Sequence, residues 1–179
     1  VTDALKQASQ LLSRRCQIRL RLVDWVTLPV RDSLCQLPVE PPARRRALDL
    51  RAAALKHADP SALALFLLPT SEDTRISWSL VDRSRASACD SPQETRFLAR
   101  FGSIFFTDLS WDSKPAVGGY ERPALLLAHE VLHSLTQRGH PSGAPRGAVM
   151  ADHVADIGTD VDADWCACAL QSPYLRPLP

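Results

Sequence analysis

The sequence predicts an α+β fold, in which a mixed twisted sheet packs on one strongly apolar helix and a small helical part closes the C-terminus. Three observations lead there. Residues 62–68 are wholly apolar and bounded by Pro60 and Pro69, a run too short for a helix and suited to a buried central strand. Residues 121–138 are apolar over a helix-long stretch, with Pro123 in the first turn and Gly139 where a C-terminal stop belongs. Further segments with strand character precede that helix, and one short helical segment follows it.

Taken in order, Thr2 or Asp3 can cap a first helix over 2–13, whose apolar stripe is Ala4, Leu5, Ala8, Leu11 and Leu12. From Cys16 to Leu22 apolar and polar residues alternate strictly, which predicts a half-buried strand that can continue to Val26. Pro29, Pro38, Pro41 and Pro42 mark a loop, and 43–57 reads as a second helix closed by Asp59-Pro60. After the apolar run at 62–68, strands are expected over 76–81 and 102–109. A loop over 110–119 leads to the apolar helix, an irregular stretch over 141–147 follows it, and Asp162 or Asp164 opens a last helix to about residue 170.

A chain of 179 residues with 45% hydrophobic content can bury a core and fits one domain, or a small domain divided by a cleft. A formal net charge of +1 argues against a dedicated nucleic-acid binder. The one dense basic run, Arg44-Arg45-Arg46, reads as the solvated face of a helix. No stretch approaches the ~20 apolar residues of a membrane span. The opening Val1-Thr2-Asp3-Ala4 lacks the features of a signal peptide, and a start without Met leads us to expect that a leader, pro-segment or preceding domain has been removed. Five cysteines, Cys16, Cys35, Cys89, Cys166 and Cys168, match no zinc-finger spacing. Two bridges and one thiol are expected, in an oxidising compartment, so a secreted or periplasmic protein.

The chemistry is concentrated in His129-Glu130-Val131-Leu132-His133. Residues four apart on a helix share a face, so His129 and His133 can offer two imidazoles to one ion. Glu130 lies beside that face and can reach a metal-bound water without being a ligand. Apolar flanks make this a buried helix, where unpartnered His and Glu would be costly. Four of the five histidines also fall between 129 and 153. A catalytic zinc takes three protein ligands and keeps one position open. His140 is the first choice for the third, since Gly139 can turn the chain back toward the ion. Asp152 and His153 come next, then Asp156 and Asp160. The four acidic residues Asp156, Asp160, Asp162 and Asp164 suit helix capping better than a calcium loop. Tyr120 and His153 are candidates for contacting a tetrahedral intermediate.

The segment from His129 to His140, followed by Gly147-Ala148-Val149-Met150, resembles the metzincin clan of zinc peptidases, whose signature is H-E-x-x-H-x-x-G-x-x-H with a downstream Met-turn. The resemblance implies a metzincin-like zincin fold over 1–179. Residues 1–140 would form an upper subdomain with the sheet and active-site helix, and 141–179 a small lower one with the Met-turn and C-terminal helix. It implies Zn2+ as cofactor, His129 and His133 as ligands, Glu130 as general base, and Met150 as an apolar floor under the metal. This sequence departs from the pattern in one place. Thr136 stands at the signature's Gly, Gly139 at its third ligand, and His140 one residue late. Either the helix runs about one turn longer before turning back to His140, or the third ligand comes from elsewhere. Cys35 faintly resembles the thiol segment of some metzincin precursors, but a disulfide with Cys16 is the expectation. The activity implied is that of a monomeric zinc metalloendopeptidase acting on a protein or peptide, with no nucleic-acid or membrane partner. The alternatives are a zinc-bearing binding or adaptor domain without catalysis, and a structural domain without metal.

Overall fold

A computed structural model of the chain describes residues 2–25, 27, 56, 62–67, 77–79, 103–106, 116–138, 140–141, 143–151, 153–172 and 174–176. The expected helix over 43–57, the Arg44-Arg45-Arg46 run, Cys35, Cys89, Gly139 and Asp152 lie outside the described residues, apart from the single position Lys56.

Helix α1 (Thr2–Cys16) runs three residues beyond its expected end and presents Ala4, Ala8, Leu11, Leu12 and Cys16 to the core. It stops because Gln17 adopts a left-handed conformation (φ 60°) and returns its N–H to Ser13 O at 3.2 Å, which satisfies a carbonyl the helix leaves open. The strand expected over 16–22 does not form. The expected alternation of burial holds only in part, with Ile18 buried, Leu20 half-buried and Leu22 exposed, and its backbone pairs with a side chain instead of a strand. Leu20 N donates to Ser9 Oγ at 2.9 Å, and Ser9 Oγ donates to Leu20 O at 3.3 Å. Alternation marks side chains suited to burial, and a segment laid along a helix can satisfy it in part without a ladder.

Strands β1 (Ala64–Leu67), β2 (Ser77–Ser79) and β3 (Ser103–Phe106) fall within the three later strand segments. They form a mixed sheet in the order β1-β3-β2, with β1 parallel to β3 (Leu65 opposite Ile104) and β2 antiparallel to it (Trp78 opposite Phe105). Among the described strands β3 is central, whereas the apolar run at 62–68 suggested that β1 would be. The side chains of β1 are half-buried, with Leu67 exposed, consistent with its place at the edge among the described strands.

Helix α2 (Arg122–Thr136) is the centre of the molecule, buried at every position from Pro123 to Thr136. A helix that is apolar nearly all round must be enclosed on all sides. Here α1, β2, β3 and the C-terminal helix α3 (Ala163–Ala169) pack against it. Its first turn is held from α1, where Gln7 Oε1 accepts from Glu121 N at 2.8 Å. Leu125, Leu132 and Leu135 join Leu11, Leu12, Ile18 and Val149 as the largest fully buried side chains. Leu132→Ala is expected to cost about 2–5 kcal/mol in denaturant unfolding, because its surroundings can collapse only partly into the gap.

The C-terminal segment is tied to the first helix by a disulfide between Cys16 and Cys166, with Cα atoms 4.8 Å apart. This replaces the expected pairing of Cys16 with Cys35. The end of α1 and the middle of α3 meet in space although they are far apart in sequence, a proximity that spacing alone does not reveal. Cys168 is also disulfide-bonded, to a cysteine outside the described residues. No helix among the described residues is long and apolar enough to cross a membrane. Asp162 caps α3 as anticipated, accepting from Asp164 N at 2.7 Å.

Candidate metal centre

His129 and His133 stand one turn apart on α2, nearly buried at 4% and 6% exposure, and Glu130 between them is equally enclosed at 4%. The helix ends earlier than expected. Gln137 caps it, with φ 56° and its N–H donated to His133 O at 2.8 Å, and Gly139, where the stop was expected, lies outside the described residues. Thr136, at the position of the signature's Gly, stays helical. Its Oγ1 donates to Leu132 O at 2.7 Å and accepts from Arg138 N at 3.3 Å. The extra residue before His140 is therefore absorbed by the helix, which is longer by one residue and not by one turn. From the left-handed residue to the histidine the interval is three residues, as it is from Gly to His in the signature.

The result is convergence. His129 Nε2 lies 3.1 Å from His133 Nε2 and 3.1 Å from His140 Nε2. One ligand atom from each of the three lies within 4.8 Å of the others. Ligand atoms about 2.0–2.1 Å from a tetrahedral ion would be about 3.3 Å apart, close to the two 3.1 Å separations from His129.

The other ring nitrogens fix the chemistry. His129 Nδ1 is 2.6 Å from Val149 O, and His133 Nδ1 is 2.6 Å from Arg138 O. A carbonyl only accepts, so each Nδ1 is the donor there, and in the neutral ring Nε2 is then the nitrogen able to ligate an ion. Backbone carbonyls holding Nδ1 are the usual outer support of a metal-ligating histidine. The donor set thus fits a metal ion, and three nitrogens suit zinc or a similar transition metal more than calcium or magnesium.

The carbonyl behind His129 comes from the turn at Gly147–Met150. Val149 N donates to Asp160 O (2.7 Å), Gly147 N to Asp156 O (2.9 Å), and Asp160 N to Gly147 O (3.1 Å). Met150 follows Val149 and is buried. The crossing is close enough that a Cβ at Gly158 would stand 2.5 Å from Gly147 Cα and nearer still to its carbonyl oxygen. Gly158→Ala is therefore expected to push the turn off His129. It should lower stability by at least about 1–3 kcal/mol and weaken metal binding, read by thermal unfolding and by zinc competition respectively.

The remaining candidates are placed elsewhere. Asp156 pairs with Arg146 at 3.3 Å and Asp160 with Arg15 at 3.1 Å. His153 is exposed and is not part of the trio. Tyr120 is buried with its hydroxyl accepting from Arg14 Nη1 at 3.2 Å, at the opposite end of α2 from His133. Two features went unforeseen: the Val149 carbonyl, a backbone atom with no residue-type signal, and Trp165, whose ring meets His133 edge-on with centroids 6.1 Å apart. No protein-family model, curated protein or solved structure matches the chain.

Proposed function

We propose that the chain is a zinc-dependent peptidase of metzincin type, with His129, His133 and His140 as ligands and Glu130 as general base. The observation that carries the reading is the meeting of three Nε2 atoms, two of them backed by carbonyls at Nδ1. Among the described residues no fourth His, Cys, Asp or Glu joins them. Three protein ligands with a position open is the pattern of a catalytic site, whereas structural zinc is closed by four. The exposed His140 leaves that side accessible to solvent.

Zinc held there would supply Lewis acidity and a water acidic enough to act near neutral pH. Glu130 takes the water's proton on its carboxylate and passes it to the leaving amine. Its enclosure keeps bulk water from competing for that proton. The mixed sheet against α2, with antiparallel β2 at its edge among the described strands, supports the metzincin-like fold and offers an extended peptide a strand to pair with. The Cys16–Cys166 bridge favours a secreted or periplasmic setting.

The test is metal content together with cleavage. Purified protein should hold about one zinc per chain and cut members of a peptide library, and a chelator should stop the cutting until zinc is restored. Metal without cleavage would favour a binding domain, and no metal at all would remove the reading.

A further inference from the structure

Helix α3 has seven residues, too few to hold a helical conformation or a position unaided. Its place is set by what ties it down, and Cys166, bridged to the end of α1, is one such tie. Trp165 is the residue before that cysteine. It is buried, and its ring stands edge-on to His133 with planes 80° apart. Arg138 closes the set. Its carbonyl accepts from His133 Nδ1 at 2.6 Å, and its guanidinium carbon lies 5.9 Å from the centre of the Trp165 ring. His133 is thus held at Nδ1 by a carbonyl and along its side by an indole, while Arg138 engages both.

We propose that Trp165 is a positioning residue for His133, and that the Cys16–Cys166 bridge acts on the metal centre through it. The inference rests on the three-histidine metal reading and extends it to a residue that touches no metal. Rotating the His133 ring swings Nε2 away from the point it shares with His129 and His140. The carbonyl of Arg138 fixes Nδ1, and the indole set at 80° to the ring adds a contact that opposes rotation about that hydrogen bond. Cys166 is one of two disulfide-bonded cysteines on α3, Cys168 being the other, so breaking Cys16–Cys166 loosens the indole while the second bridge still holds the helix. Metal affinity then becomes dependent on the redox state of a bond made far from the ligands in sequence.

The test measures zinc affinity by competition with a chelator of known affinity, alongside thermal unfolding of the metal-free protein and the visible absorption of the cobalt-substituted protein. With the bridge intact, Trp165→Leu should lose about 10–100-fold in zinc affinity, the range for outer supports of a ligand, and change the cobalt spectrum. Trp165→Phe, which keeps an aromatic edge, should recover most of the affinity even if its stability stays low. Cys16→Ala with Cys166→Ala should show a smaller loss in the same direction, since Cys168 keeps a second bridge on α3, and Trp165→Leu added to that pair should cost less than it does alone. Zinc affinity within twofold of the parent in Trp165→Leu overturns the proposal, whatever happens to stability. So does equal loss in the Leu and Phe variants. If the double cysteine variant does not fold, the Leu and Phe pair decides alone. A parent protein that takes up no zinc would instead overturn the metal reading itself.

Discussion

Glu130→Gln is expected to leave the zinc content at about one per chain and to reduce peptide hydrolysis by about 10²–10⁴-fold, the usual contribution of a positioned general base. Glutamine is the right replacement because Glu130 is enclosed at 4% exposure, where alanine would leave a gap. The amide keeps the volume and can still hydrogen bond, but it cannot take a proton from water near neutral pH. Metal analysis and steady-state hydrolysis on the same preparation are both needed. A variant that keeps its zinc and hydrolyses within tenfold of the parent would remove Glu130 from the mechanism. One that loses zinc would show that Glu130 supports the ligands.

Alanine at His129 and alanine at His140 should both lower zinc affinity by more than the ~10–100-fold that outer-shell changes cost, yet they should differ in the metal-free protein. His129 is buried and its Nδ1 satisfies Val149 O. Its removal leaves that carbonyl without the partner, at a cost of about 1–3 kcal/mol, and loosens the turn carrying Met150. His140 is exposed, and its replacement should leave metal-free stability nearly unchanged. Thermal melts with and without zinc separate the two effects. Unaltered zinc affinity in His140→Ala would send the search for the third ligand to another residue.

Much of this centre was legible in the residues. The four-residue interval of His129 and His133 needs only helix geometry, and the apolar flanks announce that the helix is buried. His140 was legible as a ligand type but not as a position, because its reach depends on where the chain turns. Glycine is the usual signal for a left-handed residue, which drew attention to Gly139. Gln137 already turns the chain two residues earlier, paired through its N–H with His133 O and through its side-chain amide with Ser134 O at 2.8 Å. Those hydrogen bonds offset the strain of a side chain at positive φ. The late His140 was the feature favouring an inactive domain. With the turn at Gln137, that residue arrives 3.1 Å from His129, so its spacing no longer argues for one. The segment over 16–22 misled for a different reason: its alternation of residue types is matched by burial only at Ile18 and partly at Leu20, and its backbone found Ser9 in place of a strand.

The bridge between Cys16 and Cys166 spans 150 residues of sequence. Closing a loop of that length removes about 5 kcal/mol of unfolded-chain freedom in the entropic account. The order of synthesis gives it a second meaning. A ribosome delivers α1 before the three histidines and α3 after them, so the indole against His133 arrives only once all three have emerged. During translation the nascent chain carries its histidines before the residue that packs against one of them. Assembly of the site in this form then waits for α3 and for an oxidant to join Cys166 to Cys16.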